Sequence, residues 1–178
     1  RNVLAARWGS TPHAEVWLIP ISARPNAETA SRRLITCSGC DLWQPHFSPD
    51  ARWIVFEAIA ELPTVVESKI YVAPAGGGPW KAITDGQHWA DKPRWAPDGK
   101  TIYFLAQEDG YFNVWARRFE PTTGTPIGPP HRVTSFARPK LMIPFLIEPV
   151  GFSLTQDRLL LNIVEVSGSI WMLENLRQ

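Results

Sequence analysis

The chain has 178 residues and a formal charge of +1, its 18 Lys and Arg balanced by 17 Asp and Glu dispersed along its length, so no basic face points to nucleic acid or an anionic membrane. No run of about 18 apolar residues exists to cross a bilayer as a helix, and Arg7, His13 and Glu15 interrupt the first twenty residues where a signal peptide needs an unbroken apolar stretch. Seventeen prolines, twelve glycines and nine tryptophans, with turn residues every few positions and no long stretch at helical spacing, argue for an all-β chain.

In chain order, the polypeptide opens on Arg1 instead of Met, as expected of a processed product or a piece of something longer. Val16-Trp17 is the first strand-like mark. Residues 26 to 34, NAETASRRL, carry some helical character but follow Pro25 within a hairpin connection, and no helix is predicted there. Cys37 and Cys40 make a single Cys-x-x-Cys. A structural zinc needs four ligands and no second pair exists, which leaves a loop disulfide in an oxidising compartment or two inert thiols. Residues 44 to 56, QPHFSPDARWIVF, then read as strand, tight turn, strand.

Residues 92 to 104, KPRWAPDGKTIYF, write that hairpin again without a gap. Ile35-Thr36 stands fifteen and fourteen residues before Asp50, and Ile83-Thr84 stands at the same distances before Asp98. A β-branched residue followed by an aromatic recurs at Val16-Trp17, Ile70-Tyr71, Val114-Trp115 and Ile170-Trp171. A weaker copy at residues 150 to 164 has Asp157 in the aspartate's place and a turn one residue shorter. Each period of about 40 to 50 residues contains four strand-like pieces, in the third unit KPRWA, TIYFLAQ, FNVWARRF and HRVT, the pattern of a propeller blade. The second strand of each unit is apolar on both faces, as expected when a blade is covered by a neighbour on either side. The reading is a partial β-propeller of about three to four four-stranded antiparallel blades: part of one over 1–36, blades over 37–84 and 85–134, and part of another over 135–178. In the turn APDG, Pro97 presets φ, Asp98 suits the second position and Gly99 takes the left-handed conformation; Ala51 in the earlier copy is predicted to adopt the same positive φ at a cost of about 1 kcal/mol.

These residues, best at FSPD (47 to 50), WAPDGKTIYF (95 to 104) and SGSIWMLENL (167 to 176), resemble the WD-repeat-like propellers of the TolB type. The last piece is similar to the end of sensor propellers attached to bacterial Ser/Thr kinases and winged-helix regulators. The resemblance implies a bacterial sensor or interaction module without catalysis, placed in the periplasm or otherwise outside the cytoplasm, with the cytoplasm as the other option. Such rings usually have six blades or more. About three and a half are present here, so either a missing upstream part completes the ring, the chain being the C-terminal part of a larger bacterial protein, or copies associate, and self-association is expected.

Because a blade is an antiparallel meander, its connections alternate between two faces. One face collects the hairpins of Asp50, Asp98 and Asp157, with the connections near 22 to 32 and 120 to 131. The other collects 37 to 43, 58 to 68, 85 to 92 and 135 to 149, and offers Trp43, His88, Trp89, Asp91, Lys92 and Arg138, flat apolar area beside donors and acceptors, as candidates for binding a protein, a peptide or a small polar ligand. The same residues also admit a purely structural role, the tryptophans packing between blades and Asp91 and Lys92 bonding loop backbone. The last of these loops holds nine extra residues, including LMIPFLI, expected to plug the ring's centre or meet another chain.

No cofactor, metal or catalytic residue is expected. His13, His46, His88 and His131 occupy different places in their units, and the repeated aspartates serve turns in separate blades, whereas acid–base work needs groups close together. No Gly-x-Ser-x-Gly elbow occurs, and the glycines of AGGGPW (75 to 80) lack the Lys-Ser or Lys-Thr of a phosphate loop. The alternative reading is the propeller portion of an enzyme, either the gating propeller of a serine peptidase or a metal-dependent propeller lyase; a third is a structural assembly piece.

Overall fold

A computed structural model of the chain describes residues 2 to 9, 11 to 21, 31 to 138, 140 to 144, 151 to 165 and 167 to 168. Three antiparallel meanders follow one another. β1 (Asn2–Trp8), β2 (Ala14–Pro20) and β3 (Arg32–Ile35) form the first. β4 (Asp41–Phe47), β5 (Trp53–Glu61), β6 (Val66–Pro74) and β7 (Lys81–Ala82) form the second. β8 (Ala90–Trp95), β9 (Thr101–Glu108), β10 (Tyr111–Glu120) and β11 (Thr125–Arg132) form the third. Two short pairs complete the described strands: β12 (Leu141–Met142) with β15 (Val164–Glu165), and β13 (Phe152–Leu154) with β14 (Leu159–Leu161). No helix occurs among the described residues. The chain is a partial β-propeller, with two complete four-stranded sheets between incomplete ones.

The apolar second strand explains the stacking. In β5, Ile54 and Phe56 join Val16, Ile35 and Leu42 in one core. Val55, pointing the other way, joins Ile70, Ile83, Trp95, Ile102 and Phe104 in the next. One strand thus feeds two cores, and alternation between apolar and polar would leave one of them unfilled.

The two recurring marks turn out to be bonded to each other. Thr84 Oγ1 accepts from Ile70 N–H at 3.0 Å, and Thr134 Oγ1 accepts from Val114 N–H at 2.9 Å. Each threonine satisfies a buried third-strand amide beyond the end of the fourth-strand pairing, which is why Ile-Thr and the β-branched-aromatic pair recur together. The turns also match expectation: Ala51 has φ 56° and Gly99 φ 68°, with Ala51 N–H donating to Ser48 O and Gly99 N–H to Ala96 O. The Ser48 hydroxyl and then the Arg52 amide bond the Asp50 carboxylate and hold it below the usual range.

Two expectations are corrected, and a third is met only in its described part. The fourth strand of the third sheet begins at Thr125, not near His131, so the connection there is a tight turn over 121 to 124 closed by Gly124 N–H to Glu120 O. Pro126, Pro129 and Pro130 fit an outermost strand, where a missing N–H costs no ladder bond. The loop expected over 58 to 68 is mostly a long hairpin: Glu61 pairs with Val66, and Leu62 N–H bonds Val65 O. In the loop over 135 to 149, Leu141 and Met142 pair with β15, and Ile143 is buried with Leu105, Phe112, Val114 and Phe152 on the third sheet. That described part covers a blade flank; residues 145 to 150 lie outside the described residues, as do the Ile170-Trp171 mark and most of 167 to 176.

Candidate functional site

The innermost strands β4 and β8 break their ladders at equivalent points. Pairing with the second strand shifts by one residue between Trp43 and His46 in one sheet and between Asp91 and Arg94 in the other. The residues responsible, Gln44 and Lys92, have φ 52° and 55°, a left-handed conformation costing an L residue about 1–2 kcal/mol. Pro45 and Pro93 follow, and because proline has no N–H, neither ladder gap strands a donor there. Such bulges re-aim side chains next to functional sites. Here they point Trp43, Gln44, Asp91 and Lys92 into one cavity.

That cavity, of about 480 Å³, lies between the second and third sheets and is lined by Trp43, Gln44, Glu57, Ile59, Trp89, Asp91 and Lys92. Trp8 stands edge-on to Trp43 with ring centroids 4.9 Å apart. Trp89 closes the other side, and its indole N–H has no acceptor among the described residues. The floor is ionisable. Glu57, Asp91 and Lys92 are all buried. Lys92 Nζ lies 3.4 Å from Asp91 Oδ2, while Asp91 Oδ1 accepts from the Lys92 amide at 2.5 Å.

Glu57 carries the most altered titration. Burial first, and then the Asp91 carboxylate, push its pKa well above the usual carboxylate range. The Ser68 hydroxyl lies 2.8 Å from Glu57 Oε1 and also against the Ala90 carbonyl oxygen. A hydroxyl has a single proton. Donated to Glu57, that proton favours the carboxylate and works against the rise. Just along the same strands, Arg94 Nη1 donates to His46 Nε2 at 2.6 Å. Burial and then the Arg94 charge lower the His46 pKa to about 4, so the ring is a neutral acceptor.

Of the six residues singled out from sequence, Trp43, Trp89, Asp91 and Lys92 meet in this cavity. His88 lines a different one of about 200 Å³ with Asp85, Glu108 and Trp115. Arg138 is exposed and pairs through its backbone with Leu141. Asp50 and Asp98 bond their own turns, and Asp157 accepts from Thr155 Oγ1 at 3.0 Å. Cys37 and Cys40 are joined as a disulfide. Glu57, Ser68 and Gln44 were missed. A signal for Glu57 existed: it is a charged residue deep within RWIVFEA, a strand read as buried on both faces, whereas Arg52 stands at its start.

No protein-family profile matches the chain, and no curated protein sequence does. Among solved structures it is similar to TolB from Acinetobacter baumannii, with TM-score 0.52 and 18% identity, over 92% of this chain and 37% of that one. A puromycin hydrolase aligns with TM-score 0.48 and 20% identity over 74% of this chain and 19% of that one. A puromycin-hydrolyzing peptidase of Mycobacterium tuberculosis aligns with TM-score 0.45 and 15% identity over 75% and 23%. The chain therefore spans less than two fifths of the length of each of these. At such identity, the likeness to TolB concerns the fold.

Proposed function

We propose that this chain, a segment with the TolB-like β-propeller fold, is a non-catalytic binding module that engages a peptide segment of a protein partner, or a small polar ligand, in the cavity between its second and third sheets. One observation carries the reading. Two equivalent strained bulges direct an indole, an amide, a carboxylate and an ammonium into the same concave space, and strain of this kind persists where function requires it. The Cys37–Cys40 disulfide supports a location outside the cytoplasm, where such bonds last. The inner edge of β1, unpaired among the described residues, and the exposed Val3 and Trp8 support self-association to complete a ring.

A peptide array probed with the wild-type chain and with Trp43→Ala tests the site. Spots bound by the first and lost by the second are expected; binding indifferent to the substitution would refute it. Sedimentation velocity should show concentration-dependent association, and a monodisperse monomer would remove that part. The second reading, part of an enzyme, draws on Glu57 and Asp91, a carboxyl group of raised pKa beside a second one. Mass spectrometry of the bound peptides separates the two, since a binding module returns them intact.

A further inference from the structure

We infer that the cavity takes the ammonium or guanidinium end of a lysine or arginine side chain carried by a peptide, seated between Trp43 and Trp89 with Asp91 and Glu57 as its counter-charges. This rests on the binding reading above and adds the chemical class of the ligand. The geometry sets the charge balance. Among the described residues, Lys92 is the cation within 4.0 Å of either carboxyl group, so it offsets one carboxylate. Two carboxyl groups face the space, and the second, Glu57, has no cation of its own within that distance, while burial and the neighbouring carboxylate raise its pKa. The groups facing Glu57 are few. Asp91 and Lys92 come from β8, with Arg94 further along that strand bonded to His46 and to the Pro93 carbonyl and its charge also attracted to Asp91. From β6 comes the Ser68 hydroxyl, and from β4 come Trp43 and Gln44, which do not titrate.

An entering cation supplies the missing partner. Glu57 then gives up its proton to solvent as one positive charge arrives, and the charge of the buried cluster is unchanged. An anion would meet two carboxyl groups and an ammonium already paired. Indole faces favour a cation further, by the attraction of positive charge to the ring's electron-rich face. A cavity of about 480 Å³ lies within the range of ligand sites and has room for a long basic side chain with its flanking backbone.

The test is calorimetric titration with the blocked peptides Gly-Gly-Lys-Gly-Gly and Gly-Gly-Arg-Gly-Gly, and with their Gln and Glu counterparts. Repetition at pH 7 in phosphate and in Tris, whose ionisation enthalpies differ, counts the protons released. The Lys and Arg peptides are expected to bind at least tenfold more tightly than the others and to release protons on binding. Glu57→Gln, matched in shape to the protonated acid, should weaken the Lys peptide at least tenfold and abolish proton release. Equal affinity for the Lys and Gln peptides, or Lys binding without proton release, would overturn the inference while leaving a binding cavity in place. Failure of all four peptides to bind would overturn the inference, and binding undiminished in Trp43→Ala would overturn both readings.

Discussion

Replacing Ala51 by glycine should stabilise the protein, and the third sheet supplies the internal control. Ala51 holds φ 56° in a turn whose counterpart uses Gly99 at φ 68°. An L residue in this region costs about 1–2 kcal/mol through the approach of Cβ to the backbone carbonyl. The Ala51 methyl is exposed, so its removal forfeits no packing. Against the relief stands the greater freedom of glycine in the unfolded chain, about 0.4–1 kcal/mol. The balance is a gain of about 0.5–1 kcal/mol, which raises Tm by about 1–3 °C in a chain of this size. Gly99→Ala should lower Tm by a comparable amount. A Cβ built there meets nothing closer than Pro49 Cδ at 3.5 Å, so the penalty is conformational and free of collision. Calorimetric melts of the wild type and both variants read the effect directly. If Ala51→Gly left Tm unchanged or lowered it, left-handed strain would not be what distinguishes the two turns.

Gly124→Ala tests a different limit. Its Cβ would fall within about 2 Å of the Trp53 ring, which is held by an indole N–H bond to Pro121 O at 2.9 Å, and a loss of roughly 2–4 kcal/mol is expected in urea unfolding from overpacking and positive φ together. Thr84→Val keeps the shape but removes the acceptor from the buried Ile70 amide, so a loss of about 1–3 kcal/mol should appear in the same assay. For His46, the folded pKa of about 4 lies below the ordinary 6.5, so as pH falls from about 6.5 to 4 the unfolded chain takes up a proton that the folded one refuses, and stability declines by an amount on the order of 3 kcal/mol. His46→Gln, which still offers Arg94 an acceptor, should remove most of that slope. Comparing variant with wild type is essential, because Glu57, with its raised pKa, contributes an opposite slope in which stability falls as pH rises past the ordinary carboxylate range.

Much of this architecture could be read residue by residue. The spacing of Ile-Thr, the Pro-Asp turns and the β-branched-aromatic pairs marked the blades because each reports a local requirement. A positive φ, a preset φ and a threonine that caps a buried amide are demands made within about fifty residues. The two-sided burial of β5 was legible for the same reason, since a strand covered on both faces must be apolar at successive positions. The extents of β11 and of the β5–β6 hairpin were not. Proline-rich residues 125 to 132 look like a connection until their place on the outer edge is known, and residues 58 to 68 carry no signal for where pairing stops.

The candidate site divides along the same line. Sequence alone determined that Trp43, Trp89, Asp91 and Lys92 belong to one end of the blades, because antiparallel alternation fixes which end each connection occupies, although Trp43 lies on β4 and Asp91 and Lys92 on β8 instead of in the connections. Only the tertiary structure decided that Glu57 opposes Asp91, that Ser68 links Glu57 to the next blade, and that His88 and Arg138 stand apart. Glu57 and Asp91 sit on strands of different sheets, and no local rule sets the distance between them. It follows from how deeply one blade settles against the next and from bulges that turn β4 and β8 by one residue, quantities that exist only once the two cores between the sheets are packed.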